Sequence, residues 1–342
     1  MRTVLTSLTT AALFTCRVWA QTSTGSGVDQ TFFLNQASTP QDLIDIPSML
    51  QRVVDARVVR VDPQRKAVVL QGTPDQMMLA DWLVRQTDPP AAGQTPTPEY
   101  RMAGANTGAV RLFRMEPAAT AADMTELGTT IQVLAGVQRV FGIESSKTIA
   151  VRGSVTSLDT AEWIFHQLSP AGQMPGVDSP AFPTPSNGPP EGDDIVVRVL
   201  RLDPSTARAK LVAISTAIKV VTDVQRVLPN GASRALAIRG SSDRVAAAAW
   251  VVHQLNKPAG AVPTAGAHEF QIPGLPNGVV CLFFLAHPGT AEDLTSLASQ
   301  IRARTAMDLF VLSDFGAVIV RGRPDRIVTA GAMVALFDAA VR

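Results

Sequence analysis

The chain has 342 residues, with 30 lysines and arginines against 29 acidic residues, and 46% of it is hydrophobic. Such balance gives no overall field for gripping nucleic acid, and the length suggests about two or three domains. Two cysteines, Cys16 and Cys281, exclude a disulfide framework and a cysteine-based metal site.

The first twenty residues read as an export signal: Arg2, a threonine-interrupted apolar run from Val4 to Phe14, and the small-x-small site Val18-Trp19-Ala20. Arg17 sits awkwardly inside it. Cleavage near Ala20 predicts a periplasmic or secreted product. A lipoprotein cut before Cys16 is the alternative, although Phe14-Thr15 is a poor approach to that cysteine. No later run reaches the roughly 18 apolar residues of a membrane span.

Beyond the signal the chain repeats itself four times. The segments Val68–Leu83, Ile149–Ile164, Leu236–Val251 and Val318–Met333 each carry an aliphatic run, a glycine, a polar turn and an amphipathic helical pattern. The glycines are Gly72, Gly153, Gly240 and Gly322, and the eighth residue after each is alanine: Ala80, Ala161, Ala248 and Ala330. Each motif closes a longer unit whose first helix has its own apolar spacing, as in Met124, Leu127, Ile131 and Leu134. The spacing recurs at Leu43, Ile46, Leu50 and Val53, at Leu211, Ile214, Ile218 and Val221, and at Leu294, Leu297 and Ile301, where Arg304 breaks the fourth place. Pro47 should bend the first of these helices or delay its start.

The predicted fold is α+β: four tandem βαββα units at 31–88, 109–169, 195–257 and 278–342. Each has two helices on a small three-stranded sheet, and Pro/Gly-rich linkers join them. Within the linkers lie aromatic islands, at Tyr100, Phe182 and Phe270, expected to be pinned to a neighbouring unit. The units are expected to fold separately, with proteolysis starting in 88–108, 169–194 and 258–277. The opening strands Val196–Leu202 and Val279–Leu285 are apolar on both alternating faces. A neighbouring unit or a linker island must therefore cover the second face, or else copies pack side by side.

At the glycine corner, Thr73, Ser154 and Ser241 stand where an N-cap hydroxyl belongs. Pro74 and Pro324 fit the first helical position, and Asp75, Asp243 and Asp325 favour the helix dipole. The glycine is expected to supply the backbone angles of the corner. A phosphate-cradling loop is disfavoured by the single glycine, the missing lysine and the acid. The alanine lies mid-way along the sheet-facing side of its helix. Trp82, Trp163 and Trp250, ten residues after their glycines, lie about 160° from it at 100° per residue. Arg85, His166 and His253 follow on the same side. Two readings stand: each tryptophan covers the first helix or is capped by its linker, or the series is a docking stripe. The fourth unit has Ala332 in this place.

No HExxH, GxSxG or Cys–His pattern is present, so the expected role is non-enzymatic, with no catalytic residue, cofactor or metal. The third unit carries ten basic side chains against three acidic ones, and Asp178, Glu191, Asp193 and Asp194 precede it. Local ion pairing and an anionic polymer or glycan partner both fit.

The Val/Ile-Arg-Gly-Ser/Thr-x-Asp corner within a βαββα unit resembles the short periplasmic N-domains of bacterial secretins, most closely over 110–168, 196–255 and 279–337. That resemblance implies an exported scaffold or adaptor contacting envelope proteins or itself, with secretion or pilus machinery as the setting. It departs from the family in that no channel domain follows the fourth unit, so the channel itself is not expected. A topological likeness to KH domains lacks the GxxG loop flanked by basic residues that RNA binding needs.

Overall fold

The computed structural model describes residues 27–34, 39–88, 97–102, 108–169, 178–184, 194–256, 265–275 and 278–341. The expected signal segment lies outside them. The first unit runs β1 (Val28–Phe33), α1 (Asp42–Met49), β2 (Arg57–Asp62), β3 (Ala67–Gly72), α2 (Pro74–Thr87). The second runs β4 (Glu99–Arg101), β5 (Gly108–Arg114), α3 (Ala121–Ala135), β6 (Arg139–Ile143), β7 (Thr148–Ser154), α4 (Val155–Leu168). The third runs β8 (Phe182–Pro183), β9 (Ile195–Arg201), α5 (Arg208–Thr222), β10 (Arg226–Asn230), β11 (Ala235–Ser241), α6 (Ser242–Leu255). The fourth runs β12 (Gly266–Gln271), β13 (Val279–Phe284), α7 (Ala291–Thr305), β14 (Asp308–Leu312), β15 (Ala317–Gly322), α8 (Pro324–Ala340). The fold is α+β with four small antiparallel sheets, as the repeat predicts.

One difference from the three-stranded expectation is systematic. The first sheet has the order β1-β3-β2, but the others are four-stranded: β4-β5-β7-β6, β8-β9-β11-β10 and β12-β13-β15-β14. The extra strand comes each time from the linker, which pairs with the free edge of the opening strand. Pairing satisfies backbone groups on both partners. Strands as short as Phe182–Pro183 leave no periodicity to read.

Local geometry repeats as faithfully as sequence. The residue ending the first helix is left-handed in every unit, at Asp55, Gly136, Asp223 and Ala306, a helix stop that only one unit meets with glycine. The hairpin turn uses the same conformation at Lys66, Lys147, Arg234 and Gly316. In the first helix, Pro47 is followed by a π-helical turn, Leu50–Val54, which absorbs the irregularity within the ladder. Thr73 and Ser154 accept the expected capping bonds from Gln76 and Ser157, whereas Ser241 occupies the cap without one.

The corner glycines serve a different purpose from the one expected. None of the four has positive φ. What they lack room for is a Cβ: at Gly153 it would lie 2.8 Å from Val137 Cγ1, at Gly240 3.2 Å from Val224, and at Gly322 inside Met307. Those three residues follow the first helix and press onto the closing strand. At Gly72 the crowding comes from Gln76 and Met77. Close approach, rather than backbone freedom, selects glycine. The alanines behave as projected: Ala80, Ala161, Ala248 and Ala330 are all fully buried.

Hydrophobic clusters cross the unit boundaries. The first unit's core includes Val110, Leu112, Ile143 and Ala150 of the second. The second unit's core takes in Val197, Val199, Ala235 and Ala237 of the third, and the third's takes in Val280, Leu282, Leu312 and Ile319 of the fourth. Alternation explains this, because Ile149 and Val151 face their own helices while Ala150 between them faces backwards. Each later sheet is therefore covered by its own helices on one face and by the preceding unit's helices on the other. Sheets and helix pairs alternate as layers, and the units share cores instead of standing as separate ones.

Candidate interaction surfaces

Three junctions between units repeat one design, and the first two share polar contacts at equivalent positions. Arg152, immediately before Gly153, donates from Nη1 to the carbonyls of Val53 (2.9 Å) and Val54 (3.2 Å) in the preceding unit. Arg239, immediately before Gly240, donates to Leu134 O at 2.6 Å. A cation placed on the last carbonyls of a helix satisfies orphan acceptors and complements the helix dipole. Partial burial pushes both guanidinium pKa values down, helped by neighbouring Arg139 and Arg226 respectively, so the carbonyls are partners these half-buried cations need. The first unit has Gln71 here, bonded to Asp29 within its own sheet. In the fourth, Arg321 pairs with Asp308 at 2.6 Å.

Two further contacts recur. Asp45 accepts from the Glu144 amide (3.2 Å) and Glu126 from the Gly231 amide (3.0 Å), so an acid on the first helix holds the next unit's hairpin turn. Arg114 reaches Gln86 O at 3.4 Å and Arg201 reaches Gln167 O at 2.9 Å, which caps the second helix of the preceding unit. The third junction is more apolar: Phe284 stands in the arginine's place, and Lys210 lies over the Phe315 ring.

The tryptophans face the linkers. Trp82 packs on Tyr100 with centroids 5.5 Å apart, Trp163 stacks on Phe182 at 5.2 Å, and Trp250 meets Phe270 at 5.6 Å. The linker strand that completes each sheet is thus anchored on the helix of the unit before it. Of the outward polar residues, His253 Nε2 lies 3.0 Å from Asp178 Oδ2 in the linker. Arg85 pairs with Asp81 on its own helix, and His166 lies 3.8 Å from Glu162. Arg111 gathers Glu99 of the linker with Asp159 and Glu162 of α4. Hydrogen bonds from Arg101 and then Arg111 hold the Glu99 carboxyl below its usual range.

Much of the third unit's basic excess is committed internally. Arg208 pairs with Glu126, Arg198 lies near Asp178, Arg244 pairs with Asp223, and Arg201 and Arg239 cap helices of the second unit. Among the described residues no group of three or more His, Cys, Asp and Glu side chains could hold a metal, and no helix is long and apolar enough to cross a membrane. Cys281 is buried, and burial pushes its thiol up to about 12, far from a reactive thiolate.

Sequence reasoning missed the four capping arginines and the two acids. The signal for the arginine was visible: Arg152, Arg239 and Arg321 precede the glycine in the units that have a described predecessor, and Gln71 does so in the first.

No protein-family model and no curated protein matches the sequence. Secretins recur among similar solved structures. The N-terminal domain of the secretin XcpQ from Pseudomonas aeruginosa is 14% identical, covering 43% of this chain and 62% of that one, at a TM-score of 0.18. The type II secretion system secretin GspD from E. coli K12 is 11% identical over 87% of this chain and 58% of that one, with a TM-score of 0.16. An aspartate kinase from Synechocystis reaches 13%, 92%, 55% and 0.17 by the same measures. This chain spans less than two thirds of each of these three, and at such TM-scores an enzyme and two secretins match equally.

Proposed function

We propose that the chain is an exported, non-enzymatic scaffold or adaptor of secretin-like modules that mediates protein–protein contacts in the cell envelope, with secretion or pilus machinery as the setting. The observation that carries this reading is the repeated junction. Each of the last three units receives a helix layer on the back of its sheet, and each of the first three offers its own helices to the next sheet, which is a stacking function. The corner motif's resemblance to secretin N-domains and the export-like first twenty residues support it.

A photo-crosslinker placed at exposed Phe33 or Leu336 in living producer cells, followed by fractionation, tests the reading. The expected result is protein-sized adducts in the envelope fraction from both positions. A well-folded chain that yields no protein adduct, or that stays in the cytoplasm, overturns it. The rival reading, an anionic polymer on the third unit, is weakened by the arginines spent on internal partners.

A further inference from the structure

We infer that copies of this chain associate head to tail, the first unit's sheet of one copy seating on α7 and α8 of the next. The inference deepens the scaffold reading, on which it rests, by naming the partner of the two end surfaces.

Within the chain, every helix pair followed by a described sheet is covered by that sheet, and the outward side of its second helix is covered by the linker strand. Among the described residues, nothing covers the back of the first sheet or the outward side of the last helix pair. On α8, Val328 and Leu336 are each 73% exposed, with Ala332 between them in the tryptophan's place. Spacing of four residues puts all three on one stripe. At the other end, the back of the first sheet exposes Phe33 (58%), and Val59 (52%) stands exposed at the register break of β2. Its β1 edge has no fourth strand among the described residues.

The residues at the two ends match in position. Register places Phe33 opposite Ala67 as Arg114 is opposite Thr148 and Arg201 opposite Ala235. Phe33 thus stands where an arginine caps the preceding unit's second helix. The capped residues, Gln86 and Gln167, lie fourteen positions after their glycines, and Leu336 lies fourteen after Gly322. A second copy seated as the internal units are seated brings Phe33 against Leu336: an apolar pair replaces the arginine–carbonyl pair. Other positions are more polar than inside the chain. Asp29 and Thr31 replace Val110 and Leu112 on the sheet, and Ser296 and Gln300 stand on α7 in place of Glu126 and Thr130. The contact is accordingly weaker than an internal junction and reversible. One molecule carries both halves, so only a second copy is needed to complete the surface. The interface is heterologous and extends into chains or closes into rings.

Sedimentation velocity of the purified full chain over a wide concentration range tests this. The expected result is a weight-average sedimentation coefficient that rises with concentration. Phe33→Glu and Leu336→Glu should each abolish the rise, and mixing the two variants should restore association only to a dimer, because each retains one intact end. Circular dichroism controls for folding, and Phe33→Ser with Leu336→Gln are milder replacements. A persistent monomer overturns the inference while leaving adducts to other proteins intact; association insensitive to both positions overturns it as well.

Discussion

At Gly153 and Ala161 the closeness of backbone layers decides the residue. Ala161 is fully buried where α4 meets its sheet, so Ala161→Leu should destabilise by about 1–3 kcal/mol through overpacking, read as a lower melting temperature. The left-handed helix stop at Ala306, with φ of 49°, gives the opposite sign. Ala306→Gly should stabilise by about 1 kcal/mol, visible as a higher denaturation midpoint. Glu99 supplies a pH dependence. Its folded pKa is lowered by Arg101 and then Arg111, so its contribution is full above its unfolded pKa of about 4.3 and is lost as pH falls through the folded value. Glu99→Gln should therefore lower stability at neutral pH, with the difference from the parent shrinking below about pH 4, as denaturant midpoints at the two pH values will show.

Among the elements, the linker strands are the least legible from sequence and the most consequential for the tryptophans. Projection of α4 placed Trp163 away from its own sheet, and the structure sets it against Phe182 of the next unit's edge strand. An outward tryptophan is here neither core nor free surface. A double-mutant cycle on Trp163→Ala and Phe182→Ala should give a coupling of about 0.5–1.5 kcal/mol. Both single variants should speed proteolysis between 169 and 194 while moving the main melting transition little. Equal cleavage rates in parent and variants would show that the stack does not hold the linker.

For the whole molecule, shared cores replace the expected independent units. Leu112 belongs to the second unit's sheet but is buried, 1% exposed, in the first unit's core. Leu112→Ala should cost about 2–5 kcal/mol, and its effect should appear on both sides of the junction. Hydrogen exchange ought to accelerate in α1 and α2 as well as in β5 and β7. Acceleration confined to the second unit would mean the junction is a contact without energetic coupling.

The repeat, the order strand-helix-strand-strand-helix, and the buried alanines were all readable from the chain. Helix and strand periodicities are local and announce themselves within a few residues. The back-to-front apolar strands even showed that a second surface must cover each sheet. Tertiary structure alone decided which surface that was, and why an arginine precedes the glycine: Arg152 and Val53 are 99 residues apart, Arg239 and Leu134 105. No local pattern encodes a partner at that distance. It also reassigned the glycine from backbone freedom to close approach, since the crowding atom at Gly153 belongs to Val137, and only folding brings that side chain onto the closing strand.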